Sequence, residues 1–363
     1  MAKRAPGSVP AAERVGERSA SEASRHDGLR GRGTQLTDSF GRVVRDLRIS
    51  VTDRCNFRCT YCMDEEMTWL PRAEVLTFEE LERLARLLVV RYGVSSIRLT
   101  GGEPTVRANL ERLVAKLATL ATAAGPIDVA MTTNGATLRL VAERLRRAGL
   151  RRVNISLDTL DRERFAAMTR RDELPRVLDG IAAAIEAGFD PVKINTVVQR
   201  GVNDDELVAL AAFGRDLGVE VRFIEWMPLD ASGGWDQHAV VGQDEIVARI
   251  GAAFPLEPLP ARGAAPADRW AYRDGKGSVG VIPSVTKPFC GDCDRVRLTA
   301  DGQFRTCLFS TDESDLRGAL RSGASDDELA ARIEAAVAGK WAGHKINQVD
   351  FVRPKRSMSQ IGG

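Results

Sequence analysis

Three cysteines fall within eight residues of this chain, in Cys55-Asn56-Phe57-Arg58-Cys59-Thr60-Tyr61-Cys62, at intervals of four and three. So close a set in one loop suits a single polynuclear iron site. Three thiolates on a 4Fe–4S cube leave one iron without a protein ligand, whereas clusters that only carry electrons use four cysteines. The open position is a place for something chemical to coordinate. Zinc competes for such thiols, but structural zinc favours C-x₂-C with a second pair downstream, and the first spacing here is x₃. Reduced bystander thiols are the third reading.

All six cysteines sort into two groups of three, Cys55/Cys59/Cys62 and Cys290/Cys293/Cys307. A disulfide framework also uses even numbers, but in a chain of 363 residues without an export signal the thiols are expected to stay reduced. In the second group a C-x₂-C pair is joined across a hairpin, turning at Ala300-Asp301-Gly302, by Cys307. Zinc competes more evenly there, because Asp292, Asp294 or a distant histidine completes a four-ligand set. His26, His238 and His344 form no motif and are assigned no chemistry. A net charge of +2 points to neither nucleic acid nor an anionic membrane. No apolar run reaches the roughly 18 residues of a span, so a cytoplasmic location is expected.

Residues 1–33 are rich in Ala, Arg, Ser, Glu and Gly and are expected to form a disordered arm. From Asp46 short β-branched runs alternate with amphipathic ones. The predicted strands are Asp46–Val51, Ser96–Thr100, Asp128–Thr132, Arg152–Leu157, Val192–Val197 and Glu220–Glu225. The clearest helix covers Thr77–Tyr92, opened by a Thr77/Glu80 capping box and ended by Gly93. Others start near Asn109, Leu138, Leu174 and Asp204. This alternation predicts an α/β fold with parallel strands and right-handed crossovers. Six units are too few to close a TIM barrel, and a flat doubly wound sheet stays open at this point. Beyond Met227 the alternation stops, and the segment from Asp230 to Arg273 reads as loop-rich with one helix near Asp244–Ile250. The expected division is therefore an arm at 1–33, a barrel at 34–228 and a C-terminal α+β region at 229–363.

The chemistry-bearing stretches follow strands: the first triad, then Gly101-Gly102-Glu103-Pro104, then Thr132-Thr133-Asn134-Gly135. Parallel α/β folds put active sites at those ends. The triad spacing, with an aromatic residue before the third cysteine, resembles the signature of the radical S-adenosylmethionine (SAM) superfamily. That resemblance implies a partial (βα)6 TIM-like barrel, a cluster whose open iron binds SAM, and a 5′-deoxyadenosyl radical. Glu103 and Gly102 then lie in the motif that meets the amino group of SAM.

Across about nine-tenths of the chain the motifs also resemble the GTP 3′,8-cyclase family of molybdenum cofactor biosynthesis. These include Asp46 to Arg54, Ile97 to Pro104, Asn154 to Asp158, Val192 to Thr196, Arg222 to Met227, the second triad with Arg295-Val296-Arg297, and the terminal Gly362-Gly363. The resemblance implies GTP contacts at Arg48, Arg98, Thr132, Lys193, Arg295, Val296 and Arg297, and SAM contacts at Tyr61, Gly102, Ser156 and Met227. It implies a second 4Fe–4S cluster on Cys290, Cys293 and Cys307 that anchors substrate, and a Gly-Gly tail entering the site. Arginine forks match phosphate oxygens bidentately, which suits such cations to a triphosphate. Implied partners are an electron donor such as flavodoxin or ferredoxin and the downstream cyclic pyranopterin monophosphate synthase. Monomer and homodimer are both left open. A second function class, a two-cluster electron carrier or zinc-stabilised binding module, would need no SAM.

Overall fold

Strands form here where side chains alternate between an apolar layer and a polar hollow. The computed structural model of the chain describes residues 35–229, 233–346, 348–349 and 351–362; the arm at 1–33 and Gly363 lie outside them. In chain order the strands are β1 (Asp46–Ser50), β2 (Ser96–Thr100), β3 (Ala121–Thr122), β4 (Gly125–Pro126), β5 (Asp128–Thr133), β6 (Arg152–Ser156), β7 (Val192–Val198) and β8 (Glu220–Glu225). The remainder are β9 (Leu256–Pro258), β10 (Asp268–Tyr272), β11 (Ser278–Ile282), β12 (Arg295–Leu298), β13 (Gln303–Arg305) and β14 (Ser314–Asp315). Along β7, Val192, Ile194, Thr196 and Val198 are buried while Lys193, Asn195 and Val197 line a cavity. Parallel strands covered on both faces read as unbroken apolar runs, so this alternation marks a sheet with one polar face.

Twelve strands make one sheet in the order β14-β13-β12-β1-β2-β5-β6-β7-β8-β11-β10-β9, and β3 pairs β4 in a separate ribbon. The six strands expected from the sequence are present and consecutive in the sheet. The parallel run is nevertheless eight wide, because β12 pairs parallel with β1 and β11 with β8. Both extra strands come from residues after Met227, where the sequence showed no βα alternation. They dock on sheet edges that the first half leaves open, and the unpaired backbone groups of such edges are satisfied by any strand that reaches them.

The sheet is curled rather than flat. Arg98 on β2 and Arg222 on β8 are electrostatic neighbours, although four strand spacings on a flat sheet would hold them about 19 Å apart. It does not close, since β14 and β9 end it. The result is an α/β open barrel whose inner face is the cavity.

Ten helices among the described residues accompany the sheet: α1 (Phe78–Arg86), α2 (Leu110–Ala118), α3 (Ala142–Arg147), α4 (Arg162–Thr169), α5 (Leu174–Glu186), α6 (Leu207–Leu217), α7 (Gln243–Ala253), α8 (Leu316–Arg321), α9 (Asp326–Ala338) and α10 (Met358–Ile361). The Thr77/Glu80 capping box opens α1, with Glu80 N donating to Thr77 Oγ1 at 3.2 Å and Thr77 N to Glu80 Oε2 at 2.7 Å. Leu81 and Leu84 are fully buried, and the helix runs on through a π turn, Leu87–Arg91, to Gly93. Leu47, Ile49, Ile97, Leu99, Val153, Ile155 and Phe223 belong to one core, which also takes in Phe304, Leu329 and Ile333 of the C-terminal region. A smaller core of Leu229, Val240, Val285, Phe309 and Ile346 adjoins Cys307. No helix among the described residues is long and apolar enough to cross a membrane.

Candidate active site

The first triad sits in a loop that both its own turn and its neighbours hold. Cys62 N and Met63 N donate to Cys59 O at 3.0 and 3.1 Å, while Arg58 N and Thr60 N donate to Thr169 O and Met168 O at the end of α4. Phe57 packs edge-on to Phe165 of α4 with ring centres 5.8 Å apart. Tyr61 Oη donates to Asp158 Oδ2 at 2.6 Å. The loop after β2 closes against this one: Gly102 N donates to Thr52 O and Glu103 N to Arg54 O, both at 2.8 Å. A Cβ on Gly102 would meet Arg54 O at 2.3 Å and Asp53 O at 2.4 Å, so only glycine permits the approach.

Glu103 is buried, and its carboxylate is already engaged. Oε1 accepts from Thr105 N and Oγ1 and from Thr133 Oγ1, and Oε2 accepts from Asn134 N at 2.6 Å. Oε2 thus retains acceptor capacity for one further donor. Burial raises the Glu103 pKa, and the hydrogen bonds from Asn134, Thr105 and Thr133 oppose the rise.

The triad fits an iron–sulfur group by the chemistry of its donors. All six cysteines are free. Burial pushes the Cys55 thiol up to about 11, helped by Glu103, and burial with the neighbouring Cys55 pushes Cys62 up to about 12. Burial, then Cys62, lifts Cys59 well above the usual thiol range. Three such thiolates coexist only beside compensating positive charge, which iron supplies. Their sulfurs already receive donors: Phe57 N and Asn134 Nδ2 reach Cys55 Sγ at 3.3 and 3.9 Å, and the Ser359 backbone bonds Cys62.

The triad opens on a cavity of about 590 Å³, lined from β1 round to β12. Cys55, Cys59, Cys62, Tyr61, Gly102, Glu103, Ser156 and Met227 line it, and so do Arg48, Arg98, Thr132, Lys193, Arg295 and Arg297. Register brings three of the cations together: Arg297 of β12 pairs with Arg48 of β1, which pairs with Arg98 of β2. Like charges directly opposite on adjacent strands repel. Burial depresses the guanidinium pKa of Arg48 and of Arg98 to about 10, and that of Arg297 is lowered for the same reason. Arg48 Nε, Arg98 Nε and Nη1, and Arg295 Nε and Nη2 are buried without a hydrogen-bond partner. Each such donor costs about 1–3 kcal/mol until something accepts from it.

Other predicted residues fall elsewhere. Val296 is fully buried in the core, so its backbone alone is left for any ligand contact. The second triad does not line the cavity; its neighbours Phe289, Asp294, Arg295 and Leu308 do. Cys290 opens a 3-10 turn, Cys293 follows it and Cys307 follows β13, with each of the first two thiols held by backbone donors, from His344 and Arg295 respectively. Gly362 is buried and its carbonyl accepts from Arg297 Nη1. Met358 and Ser359 line the cavity. Arg152, Asn154, Asn195 and Arg222 also line it without having been assigned a role from the sequence, although the last three fall in the motifs quoted above; the signal available was polar residues at every second strand position. Arg152 pairs with Asp128 and Arg222 with Glu220, so these two cations carry their own counter-charges.

A three-cysteine loop at the mouth of an open parallel barrel defines a radical SAM enzyme, and residues 49–214 match the Radical SAM superfamily. Residues 219–346 match Molybdenum Cofactor Synthesis C. The chain is 51% identical over 336 residues to GTP 3′,8-cyclase of Corynebacterium glutamicum, covering 90% of this chain and 89% of that one. It is 50% identical over 331 residues to GTP 3′,8-cyclase of Streptomyces coelicolor, covering 90% and 96%. This chain therefore belongs to the GTP 3′,8-cyclase family. Among solved structures, Streptococcus suis SuiB bound to precursor peptide SuiA shares the fold, with a TM-score of 0.55 at 13% identity over 86% of this chain and 74% of that one. An iron–sulfur cluster and SAM binding follow from the family, and an electron carrier or zinc-stabilised binding module is set aside.

Proposed function

We propose that this chain converts GTP to 3′,8-cyclo-7,8-dihydroguanosine 5′-triphosphate, using two 4Fe–4S clusters, one on each cysteine triad. The observation that carries this reading is the in-register row Arg297, Arg48 and Arg98, with buried guanidinium donors still unpaired, in the same cavity as the first thiol triad. A triphosphate supplies the missing acceptors and the missing negative charge together.

A cluster held by Cys55, Cys59 and Cys62 would, when bound, supply the electron for reductive cleavage of SAM, the chemistry on which hydrogen removal from C3′ of GTP and closure onto C8 would depend. The chain's own residues bind and position. Cys55, Cys59 and Cys62 hold the cluster. Gly102 lets backbone approach SAM, the acceptor left on Glu103 Oε2 meets its ammonium, and Tyr61, Ser156 and Met227 fix its other end. Arg48, Arg98, Lys193, Arg295 and Arg297, with Thr132, hold the triphosphate and so set where C3′ lies, and such positioning is worth several kcal/mol of barrier, about 7–11 at its fullest. Cys290, Cys293 and Cys307 would hold the second cluster. Gly362, whose carbonyl accepts from Arg297, borders the site on that side.

A flavodoxin or ferredoxin fits as donor and a cyclic pyranopterin monophosphate synthase as consumer of the product; the chain acts in the cytoplasm as a monomer or homodimer. With GTP deuterated at C3′, anaerobic turnover is expected to give 5′-deoxyadenosine that carries deuterium. Deuterium that stays in the nucleotide overturns the cyclase reading and leaves the radical SAM class intact.

A further inference from the structure

The C-x₂-C half of the second triad is built on a single 3-10 turn, Cys290–Asp292, with Gly291 and Asp292 exposed. Its internal bond, from Cys293 N to Cys290 O at 3.2 Å, leaves Cys293 O and the second lone pair of Cys290 O to donors from elsewhere. Two buried cations distant in sequence provide them. Arg42 donates to Cys290 O at 2.6 Å and also to Ala342 O and Trp341 O. Lys340 Nζ donates to Cys293 O at 2.8 Å and to Arg295 O at 3.0 Å.

These cations differ in how their charge is met. Arg42 Nε bonds Asp38 Oδ2 at 2.6 Å, so its charge is answered on the spot. The ammonium of Lys340, in a residue only 3% exposed, is held by two carbonyls. A cation buried on those terms is costly unless negative charge lies close by. Cys293 and Cys307 are the thiols whose charge acts on Lys340; Asp38 also acts on it, and Arg42 opposes.

We propose that Lys340 is a positioning residue for the second iron–sulfur site: its ammonium ties Cys293 to the cavity arginine Arg295, and its charge favours the reduced form of the bound cluster. Reduction adds one electron to a cluster already made negative by three thiolates, and a fixed cation in a buried setting lowers the free energy of that added charge. Tying Cys293 O and Arg295 O to one donor also couples the cluster ligand to the cavity arginine. This inference rests on the reading that the second triad holds a 4Fe–4S cluster.

The test uses the full chain with Cys55, Cys59 and Cys62 replaced by Ala, so that one iron site remains, reconstituted anaerobically and titrated with dithionite while the reduced cluster is followed by EPR. Lys340→Gln, which keeps a hydrogen-bond donor without charge, is expected to retain the iron and to lower the equilibrium constant for one-electron reduction about tenfold, or ~59 mV. Lys340→Arg is expected to restore most of that shift. If Lys340→Gln loses its iron while Lys340→Arg keeps it, the charge requirement is supported by another route. Full iron with an unmoved potential in Lys340→Gln overturns the proposal, and so does iron loss in both variants, which would make the site one of shape rather than charge. Failure of the Lys340-containing background to take up iron would instead defeat the two-cluster reading.

Discussion

Lys193 is the cavity cation whose charge can be switched within the working pH range. Burial, then repulsion from Arg222, lowers its pKa to about 8, and Glu220 opposes the shift with its oxygen 3.8 Å from the ammonium. Below that value the lysine is charged and contributes fully to binding an anion; above it the charge is lost. A bound triphosphate favours the ammonium, so binding takes up a proton where the free site is neutral. The KM for GTP is therefore expected to be insensitive to this group below pH ~8 and to rise by up to about tenfold per unit above it. Lys193→Arg, charged throughout, is expected to flatten that rise, and KM measured from about pH 7 to 9 checks it. Arg48 and Arg98, at about 10, stay charged across the same interval.

At the scale of elements, two close packings decide whether the site assembles. Gly180 in α5 lies under the turn that follows β5, and a Cβ there would sit 2.1 Å from Gly135 O. Gly180→Ala is expected to cost about 1–3 kcal/mol through overpacking. Because the displaced turn also carries Asn134, whose amide reaches Cys55 Sγ, the variant should release iron from the first triad sooner than the parent under a chelator. Thermal denaturation with iron-release kinetics reads both effects. The tail is anchored differently: Arg356 forks onto Asp301 at 3.1 and 2.8 Å and also reaches Glu313, after which α10 brings Ser359 to Cys62 and Gly362 to Arg297. Gly362 fits because a Cβ there would meet Thr100 Oγ1 at 2.7 Å. Deleting Gly362 and Gly363 is expected to abolish cyclisation with both iron sites filled; turnover unchanged from the parent would remove the tail from the site.

For the whole molecule, the two-cluster proposal predicts iron that can be removed in halves. The reconstituted chain is expected to hold about eight irons. Replacing Cys55, Cys59 and Cys62 by Ala should leave about half and end SAM cleavage, whereas replacing Cys290, Cys293 and Cys307 should leave the other half with some SAM cleavage retained. Metal analysis beside 5′-deoxyadenosine formation distinguishes these, and stoichiometric zinc at the second triad would defeat the assignment. Because Phe304 and Leu329 share the core with Leu47 and Ile97, loss of the C-terminal region should unfold the barrel rather than leave a free module.

Sequence alone determined what depends on neighbours along the chain. The first triad loop, the Thr77/Glu80 cap, the six strands of the first half and the hairpin at Gly302 are all set by local spacing. Helix α4 went unread because its apolar positions form no stripe, and β9 to β11 because short strands amid Pro, Ala and Gly carry little period of their own. Tertiary structure alone decided the rest: that β11 and β12 complete the parallel run, that Arg297, Arg48 and Arg98 fall in one row, and that Lys340 and Arg42 meet the second triad from 47 and 248 residues away. Those are matters of strand register and burial between distant segments. A local pattern cannot encode them, because the free energy that selects one pairing over another is gained only when the chain has closed the loops between.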